Sequence, residues 1–238
     1  AVDVDASWHL NTPFGFDVSG TPGEVTADGE AQAATVVEAD GQVTSRAGVA
    51  LGMFAADCLP VLMADAQAGV IGAAHCGRKG LQRGIIGATM VAKGAAPERI
   101  AAALGPCICG DCYEVGDAIA GEFDAQFPGT FTLTRFGGPG IDIAKAARME
   151  LAKAGVPADS IVDSRPRVNA ASQYLYEDEE LASLCAADGE GEPALADRWS
   201  TVRHSMCTLE NPLWYSHRRA SLAGKTHEGR LLALIMRG

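Results

Sequence analysis

Between Val49 and Leu104 the chain divides its apolar residues into short runs and sets one helical stretch among them. The runs Val49 to Phe54 and Val70 to Ala74 have the length and composition of buried strands, each followed by a turn or a helix start. Leu81 to Lys93 is amphipathic after a glycine start, and an apolar run then leads up to Leu104. The order reads strand, strand, helix, strand.

The pattern continues downstream. Val115, Ile119, Phe123 and Phe127 recur every four residues, which predicts a helix over Tyr113 to Phe127 closed by Pro128. Thr130 to Phe136 reads as a strand, Ile141 to Ala154 as a helix ended by Gly155 and Pro157, and Ile161-Val162 as the start of a short strand. Leu231 to Met236 makes a C-terminal strand. Residues 1 to about 45 have weak periodicity and read as irregular strands and loops. From 164 to about 205 the chain reads as an inserted segment, with an acidic helix over Glu177 to Ala187 and an exposed Gly-Glu-Gly-Glu-Pro stretch after it. No internal repeat is visible.

With 238 residues the chain can bury a substantial core as one domain. No apolar stretch is long enough to cross a bilayer, so a membrane-spanning role is not expected. A formal net charge of −11 repels phosphate backbones, which argues against nucleic acid and for a small-molecule substrate. The seven cysteines are an odd number and cluster along the chain, as expected of reduced thiols in a cytoplasmic protein. No secretory signal is visible at Ala1-Val2-Asp3-Val4-Asp5.

Ala55-Ala56-Asp57-Cys58-Leu59-Pro60 and Gly72-Ala73-Ala74-His75-Cys76-Gly77-Arg78-Lys79-Gly80 place a thiol and an imidazole at the ends of neighbouring apolar segments, and both side chains emerge at one edge of a sheet if those segments are neighbouring strands. Cys58 and His75, with sixteen residues between them, suit a pair of metal ligands or a thiolate–imidazole dyad, against the plainer reading of a small core thiol and a hydrogen-bonded core histidine. The glycines from Gly77 to the following helix leave backbone N–H groups free for an anion, with Lys79 in support. Cys107, Cys109 and Cys112 form a C-x-C-x2-C cluster, but one triad without a matched second pair does not make a separate structural metal site. Arg218 and Arg219 follow an aromatic run, Leu213 to Ser216, read as a strand; one of them is expected to grip an anion while its neighbour faces solvent.

These stretches, with Gly105 to Gly116, Cys207 to Arg219 and Glu228 to Ile235, resemble the laccase-domain family, whose members are also called polyphenol oxidases and peptidoglycan editing factors. The resemblance covers roughly Asp40 to Ile161 and Met206 to the end. It implies a single α/β domain with mixed β-sheet flanked by helices, similar in layout to the cysteine-hydrolase domain of the cytotoxic necrotizing factors. It also implies a zinc ion held by two histidines and a cysteine, with Cys58 and His75 matching two of the ligands. The third belongs to an upstream Gln-Val-His-Gly motif that this sequence does not contain, and His9 is its only upstream histidine. The family's His-Ala-Gly-Trp-Arg-Gly is replaced by His75-Cys76-Gly77-Arg78-Lys79-Gly80, so Lys79 stands where an arginine is usual.

The resemblance implies a zinc-dependent purine nucleoside phosphorylase, with adenosine deaminase activity as a second capacity. Cys58 and His75 would be catalytic and metal-binding, and Gly77, Lys79, Arg218 and Arg219 would bind phosphate. Two alternatives stand beside it: a metal-free Cys–His amide hydrolase acting on peptidoglycan precursors, and a non-catalytic small-molecule binding protein. Copper oxidase chemistry is disfavoured, since these motifs lack the several histidine pairs that it needs.

Overall fold

A five-stranded sheet organises the molecule, in the order β1 (Gly41–Thr44), β4 (Val70–Cys76), β3 (Leu59–Asp65), β5 (Ile100–Leu104), β8 (Ile161–Asp163). The computed structural model describes residues 40–91, 95–163, 165, 179 and 202–238. The expected helix over Glu177 to Ala187, the Gly-Glu-Gly-Glu-Pro stretch and nearly all of the N-terminal 45 residues lie outside them. Four of the five strands pair antiparallel, and β5 with β8 is parallel, so the sheet is mixed. Two further pairs complete the strands: β2 (Ala50–Ala55) with β9 (Leu231–Met236), and β6 (Phe131–Leu133) with β7 (Pro139–Ile141).

The main sheet is covered on both faces. Helix α2 (Ile85–Val91) packs on β4 and β1, and α4 (Ile143–Ala154) packs on α2 and on α1 (Arg78–Gln82). Leu59, Val61, Met63, Ala74 and Cys76 point into that layer, with Leu81, Ile86, Phe123 and Leu151. On the opposite face the β2–β9 ribbon sets Leu51 and Met53 against Ile71 and Ala73. Because β4 is covered on both sides, its residues form a nearly continuous apolar run.

Several boundaries differ from the sequence expectation, each for a local reason. Val49 to Phe54 and Val70 to Ala74 are not paired: β2 belongs to the ribbon, and β3, which the sequence reading passed over, lies between Cys58 and the next turn. The helix expected over Leu81 to Lys93 begins earlier, at Arg78, and is broken at Gly84, whose φ of 73° leaves the helical region. The helix expected from Tyr113 is α3 (Asp117–Gln126); Glu114 bridges Gly140 first and Gly116 turns with φ 86°. The strand expected over Thr130 to Phe136 stops at Leu133, because Thr134 to Gly138 close a turn. The fourth helix starts at Ile143, where the Asp142 carboxylate caps the Lys145 N–H at 2.9 Å, and Gly155 ends it in the left-handed region. Leu213 to Ser216 is not a strand: Trp214 donates back to Asn211 in a turn, and helix α5 (His217–Leu222) follows.

Candidate functional site

The register of β3 and β4 brings Cys58 and His75 to one end of the sheet. Leu59 pairs with Cys76 and Pro60 with His75, so Cys58 lies one step beyond the ladder, opposite Gly77. Alternation along the strands sends Cys58 the same way as Pro60 and Leu62, and His75 the same way as Ile71 and Ala73. Both side chains therefore leave the face that the ribbon covers, at its open edge. They lie close enough that Cys58 favours the charged form of the His75 ring. A methyl group at Gly77 would stand 3.0 Å from Cys58 Sγ, so the missing side chain is what leaves the sulfur approachable.

Asp40, just ahead of β1, fixes the imidazole. Its Oδ1 lies 3.2 Å from His75 Nδ1, and its carbonyl accepts the His75 backbone N–H at 2.8 Å. With Nδ1 so engaged, Nε2 is the nitrogen left to face Cys58. Burial, the largest influence, disfavours the charged ring, but the hydrogen bonds with Asp40 and Cys58 outweigh it and push His75 up to about 10. Asp40 is correspondingly held below the usual carboxylate range, first by its bond to His75.

Asp57 connects this edge to the C-terminal segment. It is buried and has φ 81°, a left-handed conformation rare outside glycine. Its Oδ1 accepts the Thr208 hydroxyl and its Oδ2 accepts the Arg218 N–H, both at 2.6 Å, while its carbonyl accepts the Ile108 N–H. Arg218 in turn donates from Nη2 to the Glu114 carbonyl at 2.9 Å and lies 5.8 Å from the Tyr113 ring centroid. Burial, and then the nearby Cys58, push the Tyr113 phenol up, against the pull of Arg78 and Arg218. Cys58, Tyr113, Arg78, Arg218 and Asp57 thus share one electrostatic neighbourhood.

The expected site residues divide accordingly. Cys58, His75, Gly77 and Arg218 come together. Lys79 is exposed on the short α1. The Arg219 guanidinium is committed to the Thr208, Leu209 and Trp214 carbonyls, which makes it a brace for the preceding turn instead of an anion grip. His217 pairs with Glu228 at 3.1 Å. Asp40, Asp57 and Tyr113 were missed. Asp57 had a signal, since aspartate tolerates the left-handed conformation and adjoins Cys58; Asp40 had none, because its role depends on the register of β1 against β4.

A second cluster lies apart from this edge. Cys109, Cys112 and Cys207 and the Glu210 carboxylate place their donor atoms within 4.8 Å of one another, and these four could hold a metal ion. That corrects the expectation that the Cys107–Cys112 triad lacks a matched second half: Cys207 and Glu210 supply it from nearly a hundred residues away, while Cys107 is a core thiol. Hydrogen bonding from Cys109 and Cys112 pulls the Cys207 thiol well down, and contacts with Cys112 and Cys207, with burial, push Cys109 up. A cavity of about 660 Å³ opens beside the cluster, bordered by Asp111, Asp142, Arg165 and His204. The six described cysteines are free.

Residues 19–178 match the family described as multi-copper polyphenol oxidoreductase laccase. The chain belongs to this family. A relative from Streptomyces griseus, named purine nucleoside phosphorylase ORF3, is 44% identical over 150 residues, covering 62% of this chain and 59% of that protein. Another, named adenosine deaminase RL5, from an unknown prokaryotic organism, is 39% identical over 58% of this chain and 55% of its own length. Among solved structures, YlmD from Geobacillus stearothermophilus superposes with a TM-score of 0.60 at 28% identity, over 86% of this chain and 63% of that one. The chain therefore spans about three fifths of the length of the relatives it matches.

Proposed function

We propose that this laccase-domain chain is a purine nucleoside phosphorylase whose chemistry centres on Cys58 and His75. The observation that carries the reading is the sequence of contacts Asp40–His75–Cys58 at the open edge of the sheet, beside the cations Arg78 and Arg218. The names borne by the relatives support this class of enzyme. Deamination of adenosine at the same edge is the secondary activity.

Zinc fits the donor chemistry of the pair: a thiol sulfur, and an imidazole whose far nitrogen is held by a carboxylate, the usual setting of a zinc-bound histidine. Catalytic zinc takes three protein donors, and Cys58 and His75 would supply two of them. Cys58 and His75 would hold the zinc, which would supply Lewis acidity toward water or a substrate oxygen. The remaining roles fall to this chain's own groups. Asp40 holds the His75 ring. Arg218 and Arg78 attract the phosphate, with the Gly77 turn and Lys79 at its outer side. The Tyr113 ring offers an aromatic wall for a purine.

Incubating the zinc-loaded chain with inosine or adenosine and phosphate should release ribose 1-phosphate and the free base. Absence of both products from a folded, metal-replete preparation would refute the assignment.

The same Asp40–His75–Cys58 contacts favour one second reading, a metal-free thiol hydrolase in which His75 serves Cys58. Metal-free protein should then react rapidly with iodoacetamide at Cys58 near neutral pH, and sluggish labelling would remove that alternative.

A further inference from the structure

We propose that Cys109, Cys112, Cys207 and Glu210 form a structural zinc site, separate from Cys58 and His75. It goes beyond the proposed activity and does not depend on it. Four features support it: the spacing of the donors, the turn that presents them, the groups that surround them, and the segments they join.

In tetrahedral coordination with Zn–S of about 2.3 Å and Zn–O of about 2.0 Å, a sulfur and an oxygen ligand stand about 3.5 Å apart. The Glu210 Oε1 lies 3.3 Å from Cys112 Sγ and 3.7 Å from Cys109 Sγ, close to that spacing in the absence of any ion. Cys109 and Cys112 sit on a tight C-x2-C turn, in which the Cys112 and Tyr113 N–H groups both donate to the Cys109 carbonyl at 2.9 Å. Cys207-x2-Glu210 repeats the spacing on the facing segment, whose Asn211 N–H donates to the Cys207 carbonyl.

The surroundings suit a negatively charged ligand set. The Cys109 N–H donates to Cys207 Sγ at 3.3 Å, a bond that favours a thiolate. The Arg203 and His204 N–H groups hold Glu210 Oε2 at 2.7 and 2.8 Å, which fixes Oε1 toward the sulfurs. Arg135 reaches Oε1 at 2.7 Å and offsets part of the charge that three thiolates and a carboxylate would leave on a divalent ion. Glu210 is almost fully buried, and a buried carboxylate ringed by thiols is the arrangement that a soft divalent cation stabilises.

The ion would join the Gly105–Glu114 loop, which carries Tyr113 and the carbonyl that holds Arg218, to the segment leading into α5. It acts at a distance from the reacting groups, by fixing where Arg218 stands.

The test uses the full chain with Cys58→Ala and His75→Ala combined, loaded with zinc and exchanged into metal-free buffer. One tightly held equivalent of zinc is expected. Replacing it with cobalt should give ligand-field bands of tetrahedral intensity and a charge-transfer absorption matching three thiolates per ion. Adding Cys112→Ser and Cys207→Ser should abolish both while circular dichroism reports a folded chain. If that protein does not fold, the cobalt spectrum of the parent variant decides alone. Retention of no metal by the Cys58/His75 variant, a spectrum of one thiolate or none, or an unchanged equivalent after both serine substitutions would overturn the proposal.

Discussion

The Asp57 carboxylate receives the backbone N–H of Arg218 at 2.6 Å, across 161 positions of sequence. The same carboxylate takes the Thr208 hydroxyl at 2.6 Å, so one side chain next to Cys58 holds both ends of the segment that carries the arginines. Asp57→Ala should lower stability by about 1–3 kcal/mol, because a buried hydroxyl and a buried N–H lose their acceptor. Asp57→Asn keeps an acceptor and tolerates the left-handed backbone, so its loss should be smaller. Urea unfolding of both variants checks the order, and equal losses would contradict it.

Asp40→Asn leaves His75 in place but removes the charge that orients it. Substitution of such a supporting carboxylate typically costs about 10–100-fold in activity or metal affinity. The expected result is a fall of that size in turnover, with the thermal midpoint little changed, since Asp40 is more than half exposed. An unaltered rate would show that the imidazole does not need its carboxylate.

The two adjacent arginines should fail in different ways. Arg218→Ala removes a cation beside Cys58 and should raise the KM for phosphate roughly tenfold or more, as loss of a charged hydrogen bond implies. Arg219→Ala leaves the Thr208, Leu209 and Trp214 carbonyls without their donor and should lower stability by about 1–3 kcal/mol, with KM less affected. Steady-state kinetics alongside denaturation curves distinguish them, and the reverse assignment of effects would be decisive against it.

At the far end of β3, Asp65 binds Arg99 through both carboxylate oxygens, at 3.2 and 2.8 Å, and also accepts the N–H groups of Gln67, Ala68 and Ala96. The Arg99 bond, followed by those N–H groups, holds its carboxyl well below the usual range. A depressed folded pKa stabilises above the unfolded value of about 3.9, and the contribution fades as acid protonates the folded carboxylate. Wild type should therefore lose stability below about pH 4 more steeply than Asp65→Asn. Above that pH the variant should be the weaker of the two by a constant margin. Urea midpoints measured from neutral to acid pH test this; parallel curves would rule it out.

The strands and helices were legible wherever a single period ran unbroken. Leu231 to Met236 alternates and was found to the residue, and the helix expected over Ile141 to Ala154 ended at its Gly155 stop, though it starts two residues later, after the Asp142 cap. What escaped was set by register and distance. Leu59 to Asp65 follows the Asp57 turn so closely that it merged with the motif around Cys58, and no local pattern distinguishes a central strand from the loop before it. The bond of Asp40 to His75 exists only because β1 pairs with β4. The partnership of Cys109 and Cys112 with Cys207 and Glu210 needed the fold to close across 98 positions, although the repeated x2 spacing was visible in the letters. Arg219 shows the opposite limit: its charge suggested a ligand, and only the three carbonyls around it reveal a brace.

The pairing of β2 with β9 has a consequence for the order in which this protein can be made. Ala50 to Ala55 pair along the backbone with Leu231 to Met236, some 180 residues later. A ribosome-bound chain that has already released the central sheet must therefore wait with one flank uncovered, and Leu51 and Met53 wetted, until the last of the described strands emerges. Closure on that timescale joins strands far apart in the sequence, which slows folding and turns the half-built edge into the place where a chaperone, or another unfinished copy, first takes hold.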